Sequence, residues 1–155
     1  MKVSRLALVL SLALAAAPGW AEKPNFTGEW EMDAARSDFG GLPAPDKLVR
    51  RVDHREPNLK ISTTQATQMG EIKTDFTYTT DGREHTNMIR GSEFRSTLQW
   101  DEDILVVTSK RSFQGSELTI IERWTAAKDG KSMVVDTLVS RPGGESKVKV
   151  FLVKK

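Results

Sequence analysis

Asn25-Phe26-Thr27-Gly28-Glu29-Trp30-Glu31-Met32 alternates strictly. Phe26, Gly28, Trp30 and Met32 share one face, and Thr27, Glu29 and Glu31 share the other. That is the period of a strand with one side buried and the other in water. The chain beyond it reads as more strands of the same kind. Together they predict an all-β container.

Upstream of that strand, Lys2 and Arg5 precede an apolar run from Leu6 to Ala17. The run has the length of a signal-peptide core and is too short to span a bilayer. Gly19-Trp20-Ala21 sets small residues at the positions a signal peptidase reads. Residues 1–21 are therefore expected to be a cleaved signal peptide, and residues 22–155 the mature domain. Of the 23 basic residues, Lys2 and Arg5 go with the leader, so 21 remain against 21 acidic ones. A balanced surface gives no reason to expect nucleic acid as a partner. The sequence has no cysteine, hence no disulfide framework and no lipid-acceptor thiol. An exported chain of this composition, periplasmic or extracellular, must draw its stability from a packed core. It is expected not to insert in a membrane once cleaved, and to be a monomer or weak dimer.

Downstream, residues 33–39 have room for one short helical turn, and Gly40-Gly41-Leu42-Pro43-Ala44-Pro45 ends it. Strand-like runs follow at 47–55, 59–65, 71–80, 84–90, 93–100, 104–113, 117–126, 132–141 and 146–154. Turn residues separate them, among them Glu56-Pro57-Asn58, Asp81-Gly82, Gly91-Ser92, Gly115-Ser116, Asp129-Gly130 and Pro142-Gly143-Gly144. Short strands at even spacing with tight turns are antiparallel hairpins. Eight to ten of them in meander order predict an up-and-down barrel, because closure removes exposed edges.

A tight turn also predicts which side chains share a face. Centring a hairpin on Asp129-Gly130 sets Trp124 opposite Val135, Ile120 opposite Val139 and, on the other face, Arg123 opposite Asp136. Carried back through even-length turns, the same parity collects Leu105, Val107 and Phe113, then Phe94, Leu98 and Trp100. Ile89, Ile72, Phe76, Tyr78, Leu59, Ile61, Leu48 and Val52 follow on the earlier strands. Carried forward, it collects Val148, Val150 and Leu152. Two independent signals, turn position and hydrophobicity, thus agree on one interior. Arg50, His54, His85, Asn87, Arg111 and Glu122 fall inside as well. A buried charge needs a partner, and Arg111 with Glu122 on neighbouring strands is one pairing the count allows. The C-terminal half is apolar on both faces, as β-branched residues in strands often are.

No catalytic set competes with this reading. The chain has two histidines, His54 and His85, on separate runs, too few for a zinc site. It has no Gly-x-Ser-x-Gly elbow, and Gly143-Gly144 lacks the strand-then-helix setting of a phosphate loop. No enzyme activity, metal or cofactor is expected.

Phe26-Thr27-Gly28-Glu29-Trp30, with its Gly-x-Trp, resembles the opening of the calycin superfamily of lipocalins and fatty-acid-binding proteins. Trp100-Asp101-Glu102-Asp103-Ile104-Leu105-Val106-Val107 and the stretch from Glu122-Arg123-Trp124 to Asp129-Gly130-Lys131 are similar to exported bacterial lipocalin-like proteins. The resemblance implies a barrel around a small apolar molecule, Trp30 at the closed end, and a basic residue from a late strand stacked on it. Arg123, Arg141 and Lys147 are the candidates for that residue. The chain departs from fatty-acid-binding proteins in two places. Residues 33–46 are too short and proline-rich for a two-helix lid. The last strand has Lys149-Val150-Phe151 in place of an inward Arg-x-Tyr clamp, with Lys149 facing out.

The expected ligand site is the interior: Arg50, Phe76, Tyr78, His85, Phe94, Leu98, Trp100, Arg111 and Phe113. Such a lining suits a small lipophilic ligand with an acidic head group. The alternative is a protein-binding or structural envelope module, such as an inhibitor, whose barrel is filled by its own side chains.

Overall fold

The computed structural model describes residues 22–155; the expected signal peptide, residues 1–21, lies outside the described residues. Ten strands follow in order: β1 (Gly28–Met32), β2 (Lys47–Arg55), β3 (Asn58–Thr67), β4 (Gly70–Thr79) and β5 (Glu84–Ile89). The second half is β6 (Ser92–Asp101), β7 (Ile104–Phe113), β8 (Ser116–Ala126), β9 (Ser132–Arg141) and β10 (Gly144–Lys154). All belong to one antiparallel sheet in the order β4-β3-β2-β1-β10-β9-β8-β7-β6-β5. Consecutive strands are neighbours throughout except at β4 and β5, and the first strand pairs with the last. The result is an up-and-down meander barrel that is nearly closed.

Turn chemistry explains why the parity holds. Ile89 pairs with Ser92 and Phe113 with Ser116, so each connecting loop is two residues long. Arg90-Gly91 and Gln114-Gly115 have positive φ at both positions, the backbone of the hairpin turn whose twist matches the strands. The loops after β2, β3, β6 and β9 are also two residues long. The β8–β9 loop is longer than the expected two-residue turn. Ala126 pairs with Met133, and the loop between them stays even. Trp124 faces Val135, Ile120 faces Val139 and Arg123 faces Asp136, as the turn count predicts.

The core runs through the barrel axis. Phe26, Trp30, Leu59, Leu98, Leu105, Trp124, Met133, Val135 and Leu152 are almost wholly buried, and all lie on the expected inward face. Most of them fill one end. There Phe26 stacks on Trp100 and His54 and meets Trp124 edge-on at 5.5 Å. The Trp30 indole donates to the Phe26 carbonyl at 2.9 Å. His54 Nδ1 accepts from the Phe26 N–H at 3.3 Å, which leaves Nε2 to donate to Glu56 at 3.1 Å. Glu56 also accepts from the Trp100 indole at 2.8 Å and from the Thr80 hydroxyl. A polar knot thus caps the aromatic plug, and each of these groups has a partner, as burial requires.

Two expectations are corrected, and one pair that holds its register takes other ion partners. The basic residue on Trp30 is Lys154, its ammonium 5.3 Å from the ring centroid, rather than Arg123, Arg141 or Lys147. Pairing of β1 with the end of β10 brings it there, a contact no local turn reveals. Arg111 does not pair with Glu122: the Glu122 carboxylate lies toward Arg50, 4.0 Å away. Arg123 and Asp136 are opposite one another, yet each finds a different ion partner. Arg123 binds Asp101 at 2.7 Å, and Asp136 lies 3.5 Å from Lys149, which does face out.

The segment between β1 and β2 is short, as its prolines predict. A single 3₁₀ turn, Ala34–Arg36, is capped by the Asp33 side chain, and Asp38 then bridges Lys149. No two-helix lid covers the open end among the described residues. None of the described helices is long and apolar enough to cross a membrane.

Candidate functional site

In an antiparallel meander, successive turns alternate between the two ends. The turns after β3, β5, β7 and β9 therefore share one end with the segment after β1, and the aromatic plug lies at the other. Above the plug the inward side chains stop meeting across the barrel. They leave a cavity of about 180 Å³. Its apolar wall is Phe76, Tyr78 and Phe94, with Ile61, Val107 and Ile120. Phe76 stacks on Tyr78 at 5.5 Å and meets Phe94 edge-on at 5.7 Å. Alternation along β4 and β6 places these rings together, since residues two apart share a face.

The floor of the cavity is polar. Arg50 lies with its guanidinium 4.8 Å from the Trp124 ring centroid and donates through Nε to the Thr63 hydroxyl at 3.2 Å. Glu122 accepts from the Trp124 indole at 2.8 Å and faces Arg50 at 4.0 Å. This is charge pairing without a hydrogen bond, and Arg50 Nη1 is buried with no partner. Burial pushes the Tyr78 phenol well above its ordinary range, and the Glu122 carboxylate adds to that. Tyr78 therefore remains a neutral hydrogen-bonding group at physiological pH. Ser96 and Ser109, both buried, bond to each other at 2.7 Å.

The mouth carries a second cation. Arg111 spans Phe94 and Phe113, 5.1 and 5.2 Å from their centroids. Its Nε is buried and has no hydrogen-bond partner. It borders a groove of about 510 Å³ between the β7–β8 and β9–β10 hairpin tips, lined also by Leu118, Ile120, Val139 and Arg141. Ile120 lines both spaces, and Phe94 walls the inner one while supporting Arg111.

The nine expected site residues are distributed unevenly over this geometry. Arg50, Phe76, Tyr78 and Phe94 surround the cavity. Arg111 and Phe113 stand at the mouth, where Phe113 is 52% exposed. Leu98 is wholly buried in the core, and Trp100 belongs to the plug. His85 turns toward β4, its Nε2 2.7 Å from the Thr79 hydroxyl. The cavity also recruits Thr63, Gln65, Thr74, Ser109, Glu122 and Trp124. All six are on the inward parity; the small polar ones carry no hydrophobic signal to single them out. No cluster of three or more His, Cys, Asp or Glu side chains that could hold a metal occurs among the described residues.

No known protein-family model matches the sequence, and no curated protein matches it. Solved structures do match the fold. A secretory abundant heat soluble protein from Ramazzottius varieornatus superposes with a TM-score of 0.64 at 16% identity, covering 88% of this chain and 98% of that one. The zebrafish ileal bile acid-binding protein, in complex with cholic acid, gives 0.55 at 16% identity over 84% and 98%. Human cRBP IV gives 0.54 at 15% identity over 85% and 99%. What these structures share with this chain is the fold, an antiparallel up-and-down β-barrel.

Proposed function

We propose that this chain is an exported, non-catalytic binder or carrier of a small lipophilic molecule bearing an acidic group. The observation that carries this reading is the interior cavity. Aromatic and aliphatic side chains line it, Arg50 lies at its floor and Arg111 at its mouth, and each arginine has a buried nitrogen without a hydrogen bond. A pocket gains affinity from apolar contact and orientation from few polar groups. An unmade hydrogen bond on a buried guanidinium is a cost that an acceptor on a ligand would remove. The zebrafish relative in fold binds cholic acid, and this chain shares its barrel architecture. The leader expected at 1–21, which predicts a mature chain beginning at Glu22, fits a periplasmic or extracellular carrier.

A second reading rests on how full the barrel is. Phe26, Trp30, Leu98, Leu105, Trp124 and Leu152 occupy the closed half, and the remaining 180 Å³ is small for a lipid carrier. A protein-binding or structural envelope module would need no more space. Native mass spectrometry of the protein purified from its own host separates the two. A co-purifying small molecule, lost on delipidation and regained on titration, supports the carrier. A bare mass, with no saturable binding of any lipophilic acid tested, favours the packed module.

A further inference from the structure

We infer that the barrel takes its ligand tail-first, with an acidic head held at the mouth by Arg111 and an acyl tail running down to the cavity. This rests on the carrier reading above and gives the ligand a direction.

The deep cation is the wrong place for an acid. Arg50 already faces the Glu122 carboxylate at 4.0 Å, gives one hydrogen bond to Thr63 and stacks on Trp124. A second carboxylate there would share the site with Glu122, and like charges in a poorly solvated space repel strongly. The last strand offers no replacement: its inward positions are Ser146, Val148, Val150 and Leu152, and Lys149 is spent on Asp136 outside.

Arg111 is placed differently. Among the described residues it has no ion-pair partner within 4.0 Å, and its buried Nε is unmatched. The guanidinium lies over the Phe94 and Phe113 rings, 5.1 and 5.2 Å from their centroids, and neither ring supplies the in-plane acceptors that a planar anion would. Arg141 stands across the same groove. The carboxylate that lines this groove, Glu117, lies 3.4 Å from Lys110. A carboxylate at Arg111 would gain a charge-assisted hydrogen bond while keeping part of its hydration. From there Ile120 leads from the groove to the cavity wall, an apolar path for the chain.

The three tryptophans among the described residues provide the readout. Trp124 lines the cavity, and Trp30 and Trp100 belong to the plug beneath it. Bromine quenches indole fluorescence at contact range. Dodecanoate, α-bromododecanoate and ω-bromododecanoate are titrated into wild type, Arg111→Met and Arg111→Lys, with binding followed by calorimetry and quenching by fluorescence. Tail-first binding makes the ω-bromo acid quench severalfold more strongly than the α-bromo acid. Arg111→Met then weakens dodecanoate at least tenfold, and Arg111→Lys weakens it less. A stronger α-bromo signal would place the head among the tryptophans and overturn the orientation. Equal affinity in wild type and in folded Arg111→Met would also overturn it. If no acid binds wild type by calorimetry, the carrier reading itself fails, and the orientation with it.

Discussion

The Asn87 side chain takes the place of a neighbouring strand for Thr77. Its Oδ1 accepts from the Thr77 N–H at 2.9 Å, and its Nδ2 donates to the Thr77 carbonyl at 3.2 Å. This two-point amide contact crosses the β4–β5 seam, where the sheet order breaks and no backbone ladder runs. Two residues further along β4, the Thr79 hydroxyl donates to Asp81 at 2.6 Å, so it accepts from His85. Two side chains of β5 thus stitch a seam that backbone closes elsewhere.

Removing the stitch loosens the seam before the barrel. Asn87→Ala loses two partly solvated hydrogen bonds, about 1–2 kcal/mol of stability. Amide exchange at Thr77 should quicken markedly, while amides of the β8–β9 ladder slow or quicken only with global stability. An unchanged Thr77 amide in the mutant would show that the seam is held by other contacts.

The β8–β9 register separates core from surface. Trp124 is wholly buried and bonded to Glu122, so Trp124→Ala should cost roughly 3–5 kcal/mol. Asp136 faces water beside Lys149, and Asp136→Ala should cost less than about 1 kcal/mol. Urea midpoints of the two variants should differ widely. Comparable midpoints would mean that the two faces are exchanged.

Acid should attack the closed end. Burial works to raise the Glu56 carboxyl, but hydrogen bonds from Thr80, Trp100 and His54 outweigh it and hold it below its ordinary 4.5. The Thr79 hydroxyl, followed by Arg83, brings Asp81 from 3.8 down to about 2. In both cases the folded form favours the ionised carboxylate. The stabilisation is complete above the unfolded values and is lost as pH falls through the folded ones. Wild type should therefore lose stability between about pH 4.5 and 2, and Glu56→Gln and Asp81→Asn should each show a shallower slope there. Parallel pH profiles for all three proteins would contradict the assignment.

Gly28 answers to both backbone and space. Its φ of +148° suits glycine, and a Cβ there would stand 2.5 Å from Lys154 Cε. Gly28→Ala should cost about 1–3 kcal/mol in backbone strain and contact. It should also shift the Trp30 emission by moving Lys154 off the ring. Adding Lys154→Ala should recover the contact part and leave the strain. A double mutant no more stable than Gly28→Ala would assign the whole cost to the backbone.

The sequence by itself determined what depends on neighbours along the chain. Alternation of period two marked the strands from Lys47 to Lys154, and the turns expected at Gly91-Ser92 and Gly115-Ser116, one residue from where the two-residue loops 90–91 and 114–115 fall, still passed one parity through the hairpins because those loops are even. Those signals are local, so Phe76, Tyr78, Phe94, Leu98 and Trp124 could be assigned to the interior without knowing the barrel. What only the tertiary structure decided was how the interior is shared. Closure of β1 on β10 chose Lys154 for Trp30, and reach across the barrel joined Glu122 to Arg50 and left Arg111 at the mouth. It also filled one end with Phe26, Trp100 and His54 and left the cavity at the other. Parity says which way a side chain points; strand stagger and side-chain length decide what it meets on the far wall, and those distances are set only when the sheet curls on itself.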